Sequence, residues 1–330
     1  MGEKIKETRI ICLANQKGGV SKTTASLNLS YVLANVKKYK VLLIDLDSQA
    51  SASLSVGIDI ANEEVNSIDE LLDKKVSDEI DEYEWEDIQN YIYTPKYEGV
   101  VRNGTKWDRT ELPYGFDIIP SRLNLALVEL KMGVKASQNN GIINPLYLKK
   151  LTDVICEKGD YDYIVIDTPP ALGSLSMNAM MASSSGGIIV PATLDLLSFY
   201  GINSFIDSAN YVVDFYKKSG LEHRGILGIL LSLYSSRRTV DRAVEKYVVD
   251  FYPIATFKST IRESTDCKRA NASNMLFCQI NKKALADFTS LAEEVEFAIE
   301  NKEQFEIEAK KRFEDVSEEL NKEEKGENNG

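Results

Sequence analysis

The sequence predicts an α/β protein built on a doubly wound, mostly parallel sheet. Three observations point there. Short, unbroken apolar runs recur along the chain, at "RIICLAN", "YKVLLIDLD", "FDIIPS", "DYIVIDTPP", "SGGIIVPA" and "RGILGILLSLY". Helical stretches separate them. The residues that look out of place gather where the runs end: residues 15–24, Asp45 and Asp47, Asp167, and Pro191. Runs that do not alternate with polar residues belong to strands covered on both faces. Ligands in such sheets bind at the carboxyl ends of the strands.

Taken in order, "RIICLAN" is a strand that ends at "NQKGGVSKTT". A helix follows from Lys22 to Lys37, with Leu27, Ser30 and Ala34 spaced to pack on a sheet. "YKVLLIDLD" is a second buried strand with carboxylates at its end. Residues 62–90 read as acidic helix, and "NYIYTPKYEGVVRNGTKWDRTELPYG" as loop or hairpin. After "FDIIPS", "RLNLALVELKMG" is an amphipathic helix. "DYIVIDTPP" is a buried strand ending in Asp167 and stopped by two prolines. "YPIATF" reads as the last strand. From about Ala284 the chain turns helical, Glu-rich and finally disordered. The expected organisation is one domain over residues 1–285, with an acidic and loop-like insert at about 60–114, and an acidic helical extension and tail over 286–330.

Composition narrows the class. At 330 residues, 43% apolar and 27% charged, the chain can bury a large core. No basic start leads into an apolar run, so no signal peptide is expected. No apolar stretch reaches ~18 residues, so no spanning helix is expected. Cys12, Cys156, Cys267 and Cys278 are scattered without a C-x-x-C, which argues against zinc or disulfides and fits a reducing cytoplasm. The one histidine, His223, follows "KKSGLE" and reads as a surface loop residue, which argues against a Ser-His-Asp or Cys-His centre. The net charge of −12 is uneven: residues 59–87 carry 13 acids and 2 bases, residues 291–330 carry 14 acids and 6 bases, and the rest stands at +7. An anionic partner is therefore compatible with the acidic average.

The stretch at 15–24 holds the chemistry. A common phosphate loop reads G-x-x-x-x-G-K-[ST]. Here Lys22 and Thr23 supply its end, the glycines stand together at Gly18 and Gly19, and Lys17 precedes them. Consecutive backbone N–H groups at a helix start cradle an anion, and glycines let the backbone approach closely. Lys22 would reach the β- and γ-phosphates. Thr23 would place its hydroxyl on Mg²⁺, with Asp167 holding the ion or its water. Lys17 is open to two uses: beside phosphate, or away from it toward a neighbouring subunit's nucleotide. Asp45 and Asp47, two residues apart on one strand, share a face. They could form a metal-and-water site or a solvated strand end.

"LANQKGGVSKTTASLNLSYVLA", "KVLLIDLDSQAS" and "YDYIVIDTPPALGSLSMNAM" resemble the deviant Walker ATPases, in particular ParA/Soj partition proteins. That family's loop pattern is K-G-G-x-x-K-[ST], and the match covers roughly residues 9–57 and 115–260. The resemblance implies the P-loop, deviant Walker form of the doubly wound sheet, Mg²⁺-dependent ATP hydrolysis, and a dimer with ATP sandwiched between subunits. It implies ATP binding by Lys17, Gly18, Gly19, Val20, Ser21, Lys22, Thr23 and Thr24. Lys17 would be the signature lysine crossing the interface, and Asp47 the water-positioning acid. Thr23, Asp45 and Asp167 would be the Mg²⁺ residues, Asp45 in support. Ser21 stands where a glycine is usual, and "DSQA" replaces D-P-Q-G.

Within the superfamily, membrane-positioning relatives such as MinD use a basic C-terminal helix, whereas this C-terminus is acidic. Iron–sulfur relatives need paired cysteines, and tyrosine-kinase relatives a terminal tyrosine cluster; the sequence offers neither. The DNA-partition branch remains, with nonspecific double-stranded DNA bound by the ATP dimer, a ParB-type centromere-binding partner that stimulates hydrolysis, and a nucleoid-associated, cytoplasmic location. The alternative is a MinD-like or scaffold-positioning ATPase that localises a protein cargo. DNA contacts are expected at Arg237, Arg238, Arg242, Arg262, Lys268 and Arg269, within a segment from Ser232 to Ala270 carrying 8 bases and 5 acids. A solvated helix face would read the same way.

Overall fold

The structure is a computed structural model and describes residues 7–103, 106–138, 144–193, 196–218, 220–234 and 255–311. The elements follow in order as β1 (Arg9–Leu13), α1 (Lys22–Asn35), β2 (Val41–Asp45), α2 (Ser51–Ser55), α3 (Ile68–Val76), α4 (Trp85–Ile88), β3 (Lys96–Asn103), β4 (Lys106–Pro113), β5 (Asp117–Ile119) and α5 (Leu125–Gln138). Next come α6 (Tyr147–Lys158), β6 (Tyr163–Asp167), α7 (Ser174–Ala182), β7 (Gly187–Thr193), α8 (Leu196–Lys218), β8 (Ile226–Tyr234), β9 (Ile261–Arg262), α9 (Thr265–Ala272), α10 (Phe277–Ile280) and α11 (Lys282–Glu300).

Seven strands form one sheet in the order β5-β2-β6-β1-β7-β8-β9, and every pairing in it is parallel. β1 is the central strand. The chain first winds outward through β2 to β5, returns as β6, then winds the other way from β7. That reversal opens a crevice at the carboxyl end of β1. The register sets Leu13 and Asp45 on either side of Asp167, so three strand ends converge there.

The unbroken apolar runs serve both faces at once. On one face Ile10, Cys12, Leu42, Ile44, Ile164 and Ile166 join a core with α3, α5, α6, α7 and α8. On the other, Ile11, Leu13, Leu43 and Val165 join a core with α1 and α11. Consecutive strand residues point to opposite faces, so both parities must be apolar. α1 lies between the sheet and α11 and is buried nearly all round, from Ala25 to Ala34.

β3 and β4 form a separate antiparallel ribbon, paired from Lys96↔Pro113 to Asn103↔Lys106. It is rooted where Tyr97 meets Tyr114, ring centroids 5.1 Å apart, and where the Tyr114 carbonyl accepts a hydrogen bond from Asn35 at 2.7 Å. This is the hairpin among the alternatives for that stretch.

Three expectations need correction. Residues 62–90 are not one helix: α3 ends at Val76, and Asp78 takes a φ of 57°, which breaks the helix before α4. His223 is buried, not a surface loop residue. Its Nε2 bonds the Met180 carbonyl at 2.8 Å and its Nδ1 accepts the Gly225 amide at 2.7 Å. Burial lowers its pKa, and the ring stays neutral with the proton on Nε2. "YPIATF" is not the last strand. Residues 251–254 lie outside the described residues, Thr256 makes only a single bridge to Ile229, and β9 comes later.

Candidate functional site

The loop from Ala14 to Ser21 leaves β1 and is held by its own backbone and by its neighbours. Asn15 is the clamp. Its Nδ2 donates to the Pro191 carbonyl at 2.7 Å, and its Oδ1 accepts the Lys17 amide at 3.0 Å. Gln16 reaches the Gly201 carbonyl at 3.1 Å, and the Val20 carbonyl accepts from Ser232 at 2.9 Å. The loop is therefore fastened to β7, α8 and β8. Gly19 has a φ of 74° and Ser21 a φ of 65°, so the backbone turns through the left-handed region twice before α1 begins. Glycine reaches that region freely and serine does not.

Lys22 opens α1 and is buried. Its Nζ donates to the carbonyls of Asn15 at 3.0 Å and Lys17 at 2.9 Å, which folds the ammonium back under the loop. Burial lowers its pKa, while Asp167 and Asp47 pull it back up. The ammonium thus sits among the acceptors of its own loop.

Asp167 ends β6 and is fully buried. Ser26, one helical turn after Lys22, donates to its Oδ1 at 2.9 Å. Oδ2 has no hydrogen-bond partner. Burial raises its pKa to about 7, with the negative charge of Asp45 adding to the rise. The Thr23 and Ser26 hydroxyls and Lys22 work against that rise. A buried carboxylate oxygen with no donor is a group that a divalent cation satisfies. Among the described residues no three His, Cys, Asp or Glu side chains cluster to cage a metal. An ion such as Mg²⁺ needs no such cage: one or two protein oxygens suffice when waters and phosphates complete its octahedron.

The second strand's carboxylates divide their work. Asp45 is fully buried, and both oxygens are engaged. Oδ1 accepts the Asp47 amide at 3.2 Å, and Oδ2 accepts the Ser53 amide at 2.8 Å and its hydroxyl at 2.7 Å. Burial raises its pKa to about 6 against those hydrogen bonds. Asp45 therefore ties α2 to β2 and aims Asp47. Asp47 bends its own backbone, with Oδ1 accepting the Gln49 amide at 3.0 Å. Ala50 then takes a φ of 50°, the second place where glycine is usual and absent.

The structure thus brings Lys22, Thr23, Asp47 and Asp167 together at the strand ends, beside the loop from Lys17 through Thr24. Asn15, Ser26 and Ser53 complete the site and were not anticipated from sequence. Ser26 alone left a signal, a hydroxyl four residues past Lys22 on the same helix face. The expected DNA residues are not gathered in this way. Arg237, Arg238 and Arg242 lie outside the described residues, as does the side chain of Lys268. Arg262 forms a two-pronged pair with Asp287 at 2.7 and 2.9 Å, and Arg269 pairs with Asp266 at 3.1 Å.

A doubly wound parallel sheet whose central strand delivers such a loop onto a helix defines a P-loop nucleoside triphosphatase fold. Comparison with known proteins gives the same class. Residues 8–221 match the family described as AAA domain. Sporulation initiation inhibitor protein Soj of Bacillus subtilis is 29% identical over 253 residues, covering 77% of this chain and 83% of that one. Chromosome partitioning protein ParA of Caulobacter vibrioides is 30% identical over 241 residues, covering 73% and 75%. Among solved structures, cobyrinic acid a,c-diamide synthase from Mycobacterium smegmatis, with bound ATP analog and magnesium, is 24% identical with a TM-score of 0.62, covering 89% and 96%. The chain belongs to this AAA-domain family, among its Soj/ParA-type P-loop ATPases.

Proposed function

We propose that the chain is an ATP-driven partition switch: with ATP and Mg²⁺ it dimerises and grips double-stranded DNA without sequence preference, and hydrolysis, stimulated by a ParB-type centromere-binding partner, releases it. The observation that carries the nucleotide half is the unpartnered Asp167 Oδ2 beside Thr23 and Lys22. The name of one relative, chromosome partitioning protein ParA, supports the partition half. Such a switch would act on the nucleoid, in the cytoplasm.

In this reading the amides of Gly18 through Thr24 cradle the phosphates, and Gly18 and Gly19 keep that approach free of side chains. Lys22 exchanges the carbonyls of Asn15 and Lys17 for phosphate oxygens. Lys17 contacts the nucleotide of the second subunit. Thr23 and Asp167, with Asp45 in support, would hold Mg²⁺, and the ion would neutralise charge on the phosphate oxygens. Asp47, kept in place by Asp45, orients the attacking water. The γ-phosphate is the switch, because its loss removes the contacts that hold two subunits together.

A second reading, an ATPase that positions a protein cargo, gains from Arg262 and Arg269 being neutralised by their own acids. One titration separates the two. A nonspecific DNA duplex is titrated with the chain, with and without a nonhydrolysable ATP analogue, at 50 and 300 mM salt (concentrations of about this size bracket the counterion effect). Partition predicts binding that needs the analogue, weakens steeply with salt and vanishes in Asp167→Ala. Binding that ignores the analogue and Asp167, or no binding at all, favours the cargo reading.

A further inference from the structure

α7 begins without a cap of its own. Its N-cap residue is Gly173, which has no side chain, and its first turn holds no acid. The first amides of a helix have no partner inside it, and the positive end of the helix favours a negative group there. Both needs are met from another element. Glu129, in the middle of α5, accepts the Leu175 amide on its Oε1 at 3.2 Å. α5 is a firm base for it, with Val128 and Met132 buried in the core and Lys131 on both oxygens of Asp73 at 2.7 and 2.8 Å. Gly173 makes room for the carboxylate, because a Cβ built on that residue would collide with it. The backbone there is extended, with a φ of −104°, a conformation open to any residue. The glycine therefore serves space rather than flexibility.

Residues 168–173 join Asp167 to α7, so the place where α7 begins decides where that loop lies. At one end the Thr168 hydroxyl donates to the Leu13 carbonyl at 2.8 Å. At the other, Ser176 in the first turn of α7 donates to the Ala171 carbonyl at 2.5 Å. Between them Pro170 lies beside the phosphate loop: a Cβ built on Gly18 would stand 3.7 Å from the Pro170 Cβ. The loop is thus a wall of the site, pinned by β1 at Thr168 and by Glu129 at Leu175.

We propose that Glu129 is a positioning residue for ATP hydrolysis: capping α7 from α5, it fixes residues 168–173 against the phosphate loop. The inference rests on the ATPase reading above. Glu129 acts through the Leu175 amide, and the loop carries the effect to Pro170 beside Gly18 and to Asp167. Hydrolysis needs Asp167, Asp47 and the phosphates in one geometry, and a displacement of about 1 Å can cost ~100-fold in rate. Binding asks less of this loop. The phosphate loop keeps its own anchors, Asn15 on the Pro191 carbonyl and Ser232 on the Val20 carbonyl. Loss of Glu129 should therefore lower turnover and spare affinity.

The test is steady-state hydrolysis of ATP with Mg²⁺ by the full chain, with binding of a fluorescent ATP analogue measured beside it. Glu129→Ala should lower kcat roughly tenfold and leave affinity within about twofold of wild type. Glu129→Gln keeps an acceptor oxygen without the charge and should hold kcat within about threefold. Gly173→Ala should evict the carboxylate and act like Glu129→Ala. The two together should cost no more than either alone, because each removes the same contact. Hydrogen exchange over residues 168–177 should rise in both single variants, a readout that needs no turnover. If Glu129→Ala does not fold, Gly173→Ala decides. Wild-type kcat in these two variants, an equal loss of affinity, additive effects in the double variant, a Glu129→Gln no better than Glu129→Ala, or unchanged exchange overturns the inference and leaves the ATPase reading standing. A wild-type chain that does not hydrolyse ATP overturns both.

Discussion

Asp167 ends its strand inside the protein with one oxygen bonded and one bare, and its stability contribution has a definite sign. Its pKa is raised from 3.8 to about 7 by burial and by Asp45. Between those limits the folded state holds a proton that the unfolded state has released. Stability of the metal-free chain therefore falls as pH rises from about 4 to 7. Asp45, raised to about 6 mainly by burial, adds to the same slope. Urea unfolding in EDTA should show the chain less stable at pH 7.5 than at 5.5 by at least about 1 kcal/mol. Asp167→Asn should flatten that slope, raise stability at pH 7.5, and abolish the stabilisation that Mg²⁺ and nucleotide confer on the wild type. The opposite slope would mean that this carboxylate is already matched by a donor. Ser21 stores a smaller tension. Its φ of 65° belongs to glycine, and an L-residue there costs roughly 1 kcal/mol. Ser21→Gly should recover about that amount in the same denaturation assay.

At the scale of elements, what could be read in advance follows from burial. The strands β1, β2, β6, β7 and β8 were legible because both faces of each are covered, so no polar alternation interrupts the run. The phosphate loop was legible because glycine pairs and a Lys-Thr at a strand-to-helix turn have few other uses. His223 was illegible. It follows a charged segment, and only the return of β8 beside the end of α7 buries it against Met180. The break between α3 and α4 was illegible too, because Asp78 carries the left-handed turn that a glycine would have announced. Ser53 escaped notice because its partner, Asp45, is eight residues away and belongs to another element. The pairing of Arg262 and Arg269 was not legible either, because charge counts do not show pairing. Arg262 on β9 is held by Asp287 on α11. The Arg262 side chain is 55% exposed, so Arg262→Ala should change stability by less than about 1 kcal/mol. Asp287→Asn frees the guanidinium for phosphate and should tighten DNA binding about two- to fivefold at low salt. Unchanged binding in an anisotropy titration would place the DNA surface elsewhere.

Across the whole molecule, charge is sorted rather than spread. The net charge is −12, yet outside residues 59–87 and 291–330 the chain stands at +7. DNA, a polyanion, would meet a basic body beside an acidic segment in the same chain. Residues 313–330 alone hold seven acids and two bases, so ending the chain at Arg312 would move the net charge to −7. Repulsion of this kind is long-ranged and screened: the Debye length is about 10 Å at 0.1 M salt and about 3 Å at 1 M. The truncated chain, loaded with a nonhydrolysable ATP analogue, should bind a nonspecific duplex roughly three- to tenfold tighter at 50 mM salt. The advantage should shrink toward nothing near 300 mM. The magnitude of the salt slope should be equal or greater for the truncated chain, since it neutralises at least as many phosphates. If truncation leaves affinity unchanged at every salt concentration, the acidic tail does not compete with DNA, and its charge must serve an interaction with a basic partner instead. If truncation weakens binding, the tail contributes to the DNA complex or to the dimer that forms it, and sedimentation of the truncated chain with the analogue distinguishes these.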